Sequence, residues 1–280
     1  METSKKVWLV TGASKGLGAS LVKKLLKQDF RVIATSRKIE SLITEFGNTS
    51  NKFLPLEVSL SDDENVKKAI ANSIAHFGQI DVIVNNAGFG QIGTIEELTD
   101  EEARSSFDIN VFGSLNIIRN AMPYLRKNKS GHIFNIASIG GFSGGYAGWG
   151  IYCATKFAVA GFTESLAEEV KGFGVHATVI YPGYFRTDFL AKDSVKTPRH
   201  TIEDYELARQ SEQVHINDIN GNQPNDPEKA ADVLIAVSKE ENPPVHLFLG
   251  NDAYDVVYKK VNLITNEVEQ WKSYTLSTAL

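Results

Sequence analysis

Seven short apolar runs punctuate the chain, at residues 7–10, 32–34, 53–58, 80–84, 132–137, 175–181 and 245–249. Most are continuously apolar and rich in Val and Ile, the pattern of strands buried on both faces. Between them the apolar period lengthens to that of a helix. After Ser61, for instance, Val66, Ala69, Ile70, Ile74 and Phe77 fall on one face. Helix starts are also readable. Ser61 with Glu64, and Thr99 with Glu102, have capping-box spacing, and Asp226 before Pro227 reads as an N-cap with proline at the first helical position. Strands alternating with helices of this length need right-handed crossovers. The pattern therefore predicts an α/β fold. We expect one doubly wound domain over 1–280, with a seven-stranded, mainly parallel sheet and helices on both faces.

Two stretches stand apart. Residues 184–226 are polar, contain Pro198, Gly221 and Pro224, and carry one short helical pattern near 202–210. The stretch is long for a plain connection, so it reads as a lid or substrate loop, with a functionless surface insertion as the alternative. The tail, 252–272, reads as a helix, because Val257, Val261, Ile264, Val268 and Trp271 are spaced 4, 3, 4, 3. Such a stripe is expected to dock on the chain's own core.

Composition narrows the classes. Lys+Arg 29 against Asp+Glu 34 gives a net charge of −5, which disfavours a nucleic-acid surface. Hydrophobic residues at 42% and charged residues at 22% support a sizeable core. Cys153 is the one cysteine, so no internal disulfide forms and a reducing compartment is allowed. The start, METSKKVWLV, has too short an apolar run for a signal core, and no stretch approaches a membrane span. A soluble, cytoplasmic protein is expected.

The first run leads into Val10-Thr11-Gly12-Ala13-Ser14-Lys15-Gly16-Leu17-Gly18, with Leu21, Val22, Leu25 and Leu26 on the inner face of the following helix. Glycines permit a tight turn and let a diphosphate approach the backbone, and the helix N-terminus supplies free N–H groups. The spacing is neither G-x-G-x-x-G nor a P-loop, and a glycine turn can also be purely structural. It gains weight from its place beside the point where open α/β sheets bind ligands. The second strand ends Thr35-Ser36-Arg37-Lys38, without the acid that takes a ribose 2′-hydroxyl. Lys15 in the turn and Arg37 across the groove suit a 2′-phosphate, which favours NADP(H) over NAD. Two solvated charges, or Glu40 folding back onto a ribose, are the alternatives.

Tyr152 and Lys156 stand i, i+4 on one helix face. A free tyrosine, with a pKa of about 10, is a poor acid–base group at neutral pH. Lowering it by about 3 units takes roughly 4 kcal/mol. One cation some 4 Å away supplies about that at an effective dielectric near 20. The lysine is thus expected to depress the tyrosine, although the bare spacing also occurs by chance.

These features, with Asn85-Asn86-Ala87-Gly88 after the fourth run, Asn110, Ser138, and Pro182-Gly183 followed by Thr187, resemble the short-chain dehydrogenase/reductase family in order over residues 7–187. The gap before the seventh run is similar to retinol- and hydroxysteroid-dehydrogenase-like members. The resemblance implies a Rossmann fold and an NADP(H)-dependent oxidoreductase. Tyr152 would be the acid or base, Lys156 would hold the nicotinamide ribose and Ser138 the substrate oxygen, and Asn110 would hold a relay water. Gly12, Ser14, Lys15, Gly16, Leu17, Gly18 and Arg37 would bind the dinucleotide's phosphates. Asn86, Ala87 and Gly88 would lie beside its adenosine ribose, and Pro182, Gly183 and Thr187 would flank the nicotinamide. Assembly as a homodimer or homotetramer, through the helix of Asn110 and the helix of Tyr152, is also implied.

Two departures accompany the resemblance. Ser138 precedes Tyr152 by 14 residues, one more than expected, so Ser143 is a fallback. Glu57 stands where an Asp is more usual, which puts its adenine contact in doubt. Phe89, Phe142, Tyr146, Trp149, Tyr184, Phe185 and Phe189 are candidates to line an apolar pocket for a ketone, aldehyde or secondary alcohol. The six histidines lack metal-ligand spacing and read as surface or strand residues, and no metal site is expected. Cys153 reads as a packed helix residue. A non-catalytic NADP-binding sensor on the same fold is the competing reading, and a lyase or epimerase using bound cofactor is a third.

Overall fold

The computed structural model describes residues 5–191 and 194–280. The first half runs β1 (Val7–Val10), α1 (Gly16–Lys27), β2 (Arg31–Ser36), α2 (Ile39–Phe46), β3 (Phe53–Glu57), α3 (Asp63–Phe77), β4 (Val82–Asn85) and β5 (Gly90–Gln91). Then come α4 (Asp100–Phe107), a π turn (Asp108–Phe112), α5 (Gly113–Asn128), β6 (Gly131–Ile136), α6 (Gly150–Val170) and β7 (Val175–Pro182). The remainder is β8 (Val195–Lys196), α7 (Glu206–Gln213), a π turn (Val214–Ile219), α8 (Pro227–Val237), β9 (His246–Leu249), α9 (Asn251–Gln270) and α10 (Lys272–Leu276).

Among the described residues, seven strands form one sheet in the order β3-β2-β1-β4-β6-β7-β9, with every pairing parallel. All seven apolar runs became these strands. Alternate residues of β1 feed opposite cores. Val7 and Leu9 pack with Ile70 of α3, Ile117 of α5 and Leu166 of α6, while Trp8 and Val10 pack with Leu21 of α1, Leu42 of α2 and Leu234 of α8. The order turns back between β1 and β4, and the loops leaving their C-terminal ends diverge into a crevice.

Local signals were read well at two caps and missed at one. Thr99 and Glu102 form the reciprocal capping box, and the Asp226 side chain caps α8 ahead of Pro227. The first turn of α3, however, is capped by Asp62 and not Ser61: its carboxylate accepts from Asn65 N at 3.0 Å. A carboxylate is the stronger acceptor at a positive helix end, and the Ser61 hydroxyl lies instead against Ser59 Oγ at 3.4 Å.

The 184–226 segment folds back over the crevice. Its helix begins at Glu206, not 202, because Ile202 N is taken by Glu97 Oε1 at 2.8 Å, which holds that residue outside the helix. Glu97 also accepts from Thr94 N at 2.8 Å and from Arg209 Nη2 of α7 at 2.9 and 2.8 Å, with its side chain fully buried. These bonds, against the cost of burial, leave its carboxyl below the usual range. The tail helix also departs from expectation. It starts at Asn251 and is anchored by buried Ala253, but every residue from Val261 to Leu280 is exposed. Among the described residues the stripe does not dock on the chain's own core: α9 leaves from β9, the edge strand of the sheet.

Glu97→Ala should cut stability by about 1–3 kcal/mol, since it leaves Thr94 N and Ile202 N without their acceptor and takes one of two carboxylates from Arg209, which keeps Glu212 at 2.6 Å. Urea unfolding of the variant and the parent, monitored by tryptophan fluorescence, reads this loss.

Candidate active site

The crevice is a cleft of about 1110 Å³ whose wall begins at the glycine turn. Gly12 and Gly16 have φ of +63° and +60°, a region costly for other residues. A Cβ at Gly12 would lie 2.7 Å from Ala87 Cα, and one at Gly18 would lie 2.6 Å from Asn86 Nδ2. The turn is thus pressed onto the loop after β4. Asn86 Nδ2 donates to Thr11 O at 2.9 Å and Gly12 O at 3.1 Å, while Thr11 Oγ1 accepts from Asn86 N and Ala87 N. No side chain caps α1 at Lys15, which leaves its first N–H groups for a ligand in the cleft. Ser14, Lys15, Gly16, Leu17, Asn86, Ala87 and Gly88 line this end; Gly18 stands behind it.

Lys15 and Arg37 both line the cleft, and neither forms an ion pair among the described residues. Glu40 and Glu57 do not line it, and Glu57 Oε2 instead accepts from Ile39 N at 3.4 Å.

Tyr152 and Lys156 project from the first turns of α6 into the other end, both buried. Lys156 Nζ lies 5.8 Å from the Tyr152 ring centroid and donates to Ile136 O at 2.9 Å. Ser138 lies beside the Tyr152 phenol, and its Oγ accepts from Gly140 N at 3.1 Å. Between them runs the 3₁₀ turn Ile139–Gly141, where a Cβ at Gly141 would sit 2.6 Å from Lys156 O. Ser138 therefore holds the position beside Tyr152, and Ser143 does not line the cleft.

Asn110 sits in the π turn behind the wall. Its Oδ1 accepts from Phe89 N at 3.0 Å, and its Nδ2 donates to Phe89 O and Thr155 Oγ1, each at 3.1 Å. A Cβ at Gly88 would lie 3.0 Å from Asn110 Oδ1 and 3.5 Å from Lys156 Nζ, so the glycine keeps that gap open. Pro182, Gly183 and Thr187 close the wall after β7.

With this geometry in view, comparison with known proteins is decisive. The family described as short chain dehydrogenase matches residues 6–197. The chain belongs to that family. It is 32% identical over 277 residues to oxidoreductase BOA17 of Botryotinia fuckeliana, covering 98% of this chain and 99% of that one. It is 33% identical over 247 residues to the 3-ketodihydrosphingosine reductase of Bacteroides thetaiotaomicron, covering 88% of each. A short-chain dehydrogenase structure from Streptomyces avermitilis superposes with a TM-score of 0.88 at 32% identity, over 98% of this chain and 100% of that one. The structure of ElxO with NADP bound superposes at 0.74 and 26% identity, over 90% and 99%.

Several residues of this short-chain dehydrogenase escaped the sequence reading. His215 is neither a surface nor a strand residue: it is buried on the second π turn, in the cleft wall. His215 Nδ1 lies 2.6 Å from Ser211 O, a carbonyl that can only accept, so Nδ1 carries the proton. Nε2 is then an acceptor, and Tyr184 Oη donates to it at 2.9 Å. Burial lowers the His215 pKa, which keeps the ring neutral. His132 fits the strand half of that reading: it lies inside β6, and burial pushes its pKa down to about 3. Tyr184 N is fixed by Asp252 Oδ2 at 2.6 Å, and Gln223 Nε2 donates to Thr187 O at 3.2 Å. Trp149 Nε1 and Gln223 Oε1 are buried without hydrogen-bond partners among the described residues, and both side chains line the cleft. No periodicity marks His215 or Gln223, because the 184–226 flap brings them in; Trp149 and Tyr184 were already among the candidate aromatics. Of the seven candidate aromatics, six line the cleft; Phe142 packs against Tyr181 and Phe248 instead.

The electrostatics overturn one expectation. Burial pushes the Tyr152 phenol well above the ordinary tyrosine value, only partly opposed by its hydrogen bond with Ser138. Lys156 is itself desolvated, which lowers its pKa to about 8. In the protein alone the lysine therefore does not depress the tyrosine. The unfolded chain keeps the Lys156 proton up to about 10.5 and the folded chain only up to about 8. Lys156 thus weakens the fold fully below pH 8, and this penalty fades as pH rises towards 10.5. Lys156→Met should accordingly gain stability over the parent at pH 7 by on the order of 3 kcal/mol relative to their difference at pH 10.5. Paired urea titrations across that range check it.

Proposed function

We propose that this protein is an NADP(H)-dependent oxidoreductase that reduces a carbonyl, or oxidises a secondary alcohol, on a hydrophobic substrate, with Tyr152 as acid and base. The observation that carries the reading is Tyr152 itself, buried in the cleft, beside Ser138 and one turn from Lys156.

The residues present fit a dinucleotide. The uncapped start of α1 and the close-packed glycine turn suit a diphosphate. Lys15 and Arg37 suit a 2′-phosphate, Arg37 through a bidentate pair. That ElxO has been solved with NADP bound supports the same choice. Asn86, Ala87 and Gly88 would border the ribose, and Pro182, Gly183 and Thr187 the nicotinamide. When bound, the dinucleotide supplies or accepts the hydride.

The remaining work belongs to side chains of this chain. Ser138 donates to the substrate oxygen and orients it at Tyr152. Tyr152, whose raised pKa keeps its proton in place at neutral pH, passes that proton to the oxygen as it gains charge. Lys156, freed from Ile136 O, holds the nicotinamide ribose, and Asn110 positions the relay behind it. Phe89, Trp149 and Phe189 form an apolar wall for the substrate body. Tyr184, its proton committed to His215, offers a lone pair to a hydroxyl near the reacting carbon. A relative named for a ketone of a long-chain base is consistent with such a substrate.

We further propose that 1–280 acts as one cytoplasmic domain and assembles as a homodimer or homotetramer through the long helical segment of Asn110, which the π turn and α5 make up, and through α6, where Phe112 and Phe157 are exposed. Among the described residues, no helix is long and apolar enough to cross a membrane.

Two measurements test the reading. Tyr152→Phe should lower kcat for NADPH oxidation with apolar ketones by about 10²–10⁴-fold while still quenching NADPH fluorescence. Equal binding and no turnover in both proteins would instead mark a sensor. Arg37→Asp should raise the KM for NADPH by about 10–100-fold with kcat little changed, the loss of a charge-assisted pair; an unaltered preference over NADH would remove the 2′-phosphate assignment.

A further inference from the structure

The C-terminal helix is the largest feature that the active site leaves unexplained. From Val261 to Leu280 every residue is exposed, including Val261, Ile264, Val268 and Trp271 at 46%, 45%, 55% and 53%. Helices in proteins take most of their stability from burying an apolar face, and this one buries none past its first turns. The stripe Tyr254, Val257, Val261, Ile264, Val268, Trp271 repeats at 3, 4, 3, 4, 3, which is the a and d seam of a two-stranded coiled coil.

We propose that this helix pairs antiparallel with the same helix of a second copy, about a two-fold axis passing between Val261 and Ile264. The register follows from the seam. Val261 meets Ile264 of the partner subunit, Val257 meets Val268 of the partner subunit, and Tyr254 meets Trp271 of the partner subunit. The same register sets Lys260 beside Glu267 of the partner subunit, and by symmetry Glu267 beside the partner's Lys260. Those are the flanking charges without an ion pair among the described residues, whereas Lys272 is already engaged by Glu269 at 3.2 Å. A parallel pairing would have to take Lys272 from Glu269 and leave Lys260 facing Thr265. Charge also disfavours a lipid surface as the occupant: residues 251–280 hold four acids against three lysines, where an interfacial helix carries a basic face. The contact is separate from the faces of α5 and α6 and from the cleft, so it stands apart from the proposed activity.

Light scattering coupled to gel filtration, at micromolar concentration, reads the assembly. Ile264→Asp with Val268→Asp should halve the mass of the parent without changing NADPH binding. Lys260→Glu should do the same by placing two acids together, and adding Glu267→Lys should restore the parent mass. Orientation is read by oxidative cross-linking, since native Cys153 is buried. A chain with both Val257→Cys and Val268→Cys should link to its copy, whereas Val257→Cys alone should not. A parent mass of one chain, an unchanged mass in the aspartate variant, failure of the charge swap to restore assembly, or self-linking of Val257→Cys would each overturn the proposal. Sedimentation with phosphatidylcholine–phosphatidylglycerol vesicles that depends on Ile264 and Val268, with no helix-dependent change of mass in solution, would overturn it in favour of a lipid surface.

Discussion

A lysine ammonium held out of water organises the Tyr152 end of this cleft. Lys156 is buried on α6 with the Ile136 carbonyl as its bonded partner, and its lowered pKa measures how poorly one carbonyl replaces hydration. That arrangement requires α6 to press against the end of β6. Gly140 and Gly141 allow it, because a side chain there would strike Cys153 or the backbone of Lys156. It also requires the loop after β4 to leave room, which Gly88 provides. The strain of the cation is thus distributed over three backbone segments that meet at the C-terminal edge of the sheet.

The flap over the cleft depends on a second buried charge. Glu97 gathers Thr94 N, Ile202 N and Arg209 around one carboxylate, and so decides where α7 starts. The position of α7 in turn places the π turn that carries His215. On the opposite side, Asp252 at the start of α9 binds Tyr184 N and Asn225 Nδ2. The first turn of the tail helix therefore braces the Tyr184 side of the cleft, while its remaining turns extend into solvent.

The parts that were legible in the sequence are those fixed by neighbours along the chain. Seven apolar runs became seven strands, since continuous Val and Ile have no stable place but a sheet covered on both faces. The glycine turn was legible because positive φ and close approach leave only glycine, and Tyr152 with Lys156 because i, i+4 spacing is a helical distance. The Ser61 cap was misplaced by one residue because Asp62 competes for the same helix end with a stronger acceptor. The helix near 202–210 was misplaced because a distant carboxylate, Glu97, takes the backbone of Ile202. The expected fall in the Tyr152 pKa failed for a related reason: spacing reports proximity, but burial of both groups is a property of the packed whole.

The amino-acid sequence by itself determined the layers, the strand count, the phosphate-sized turn and the tyrosine–lysine pair, all consequences of local sterics and periodic hydrophobicity. Only the tertiary structure decided that Ser138 and not Ser143 meets the phenol, that His215 and Tyr184 enter the cleft as a pair of fixed tautomer, and that the apolar stripe of α9 stays in water. Those outcomes depend on which surfaces the folded sheet leaves covered or bare, and residues 14 to more than 100 positions apart carry no local signal of whether they will meet.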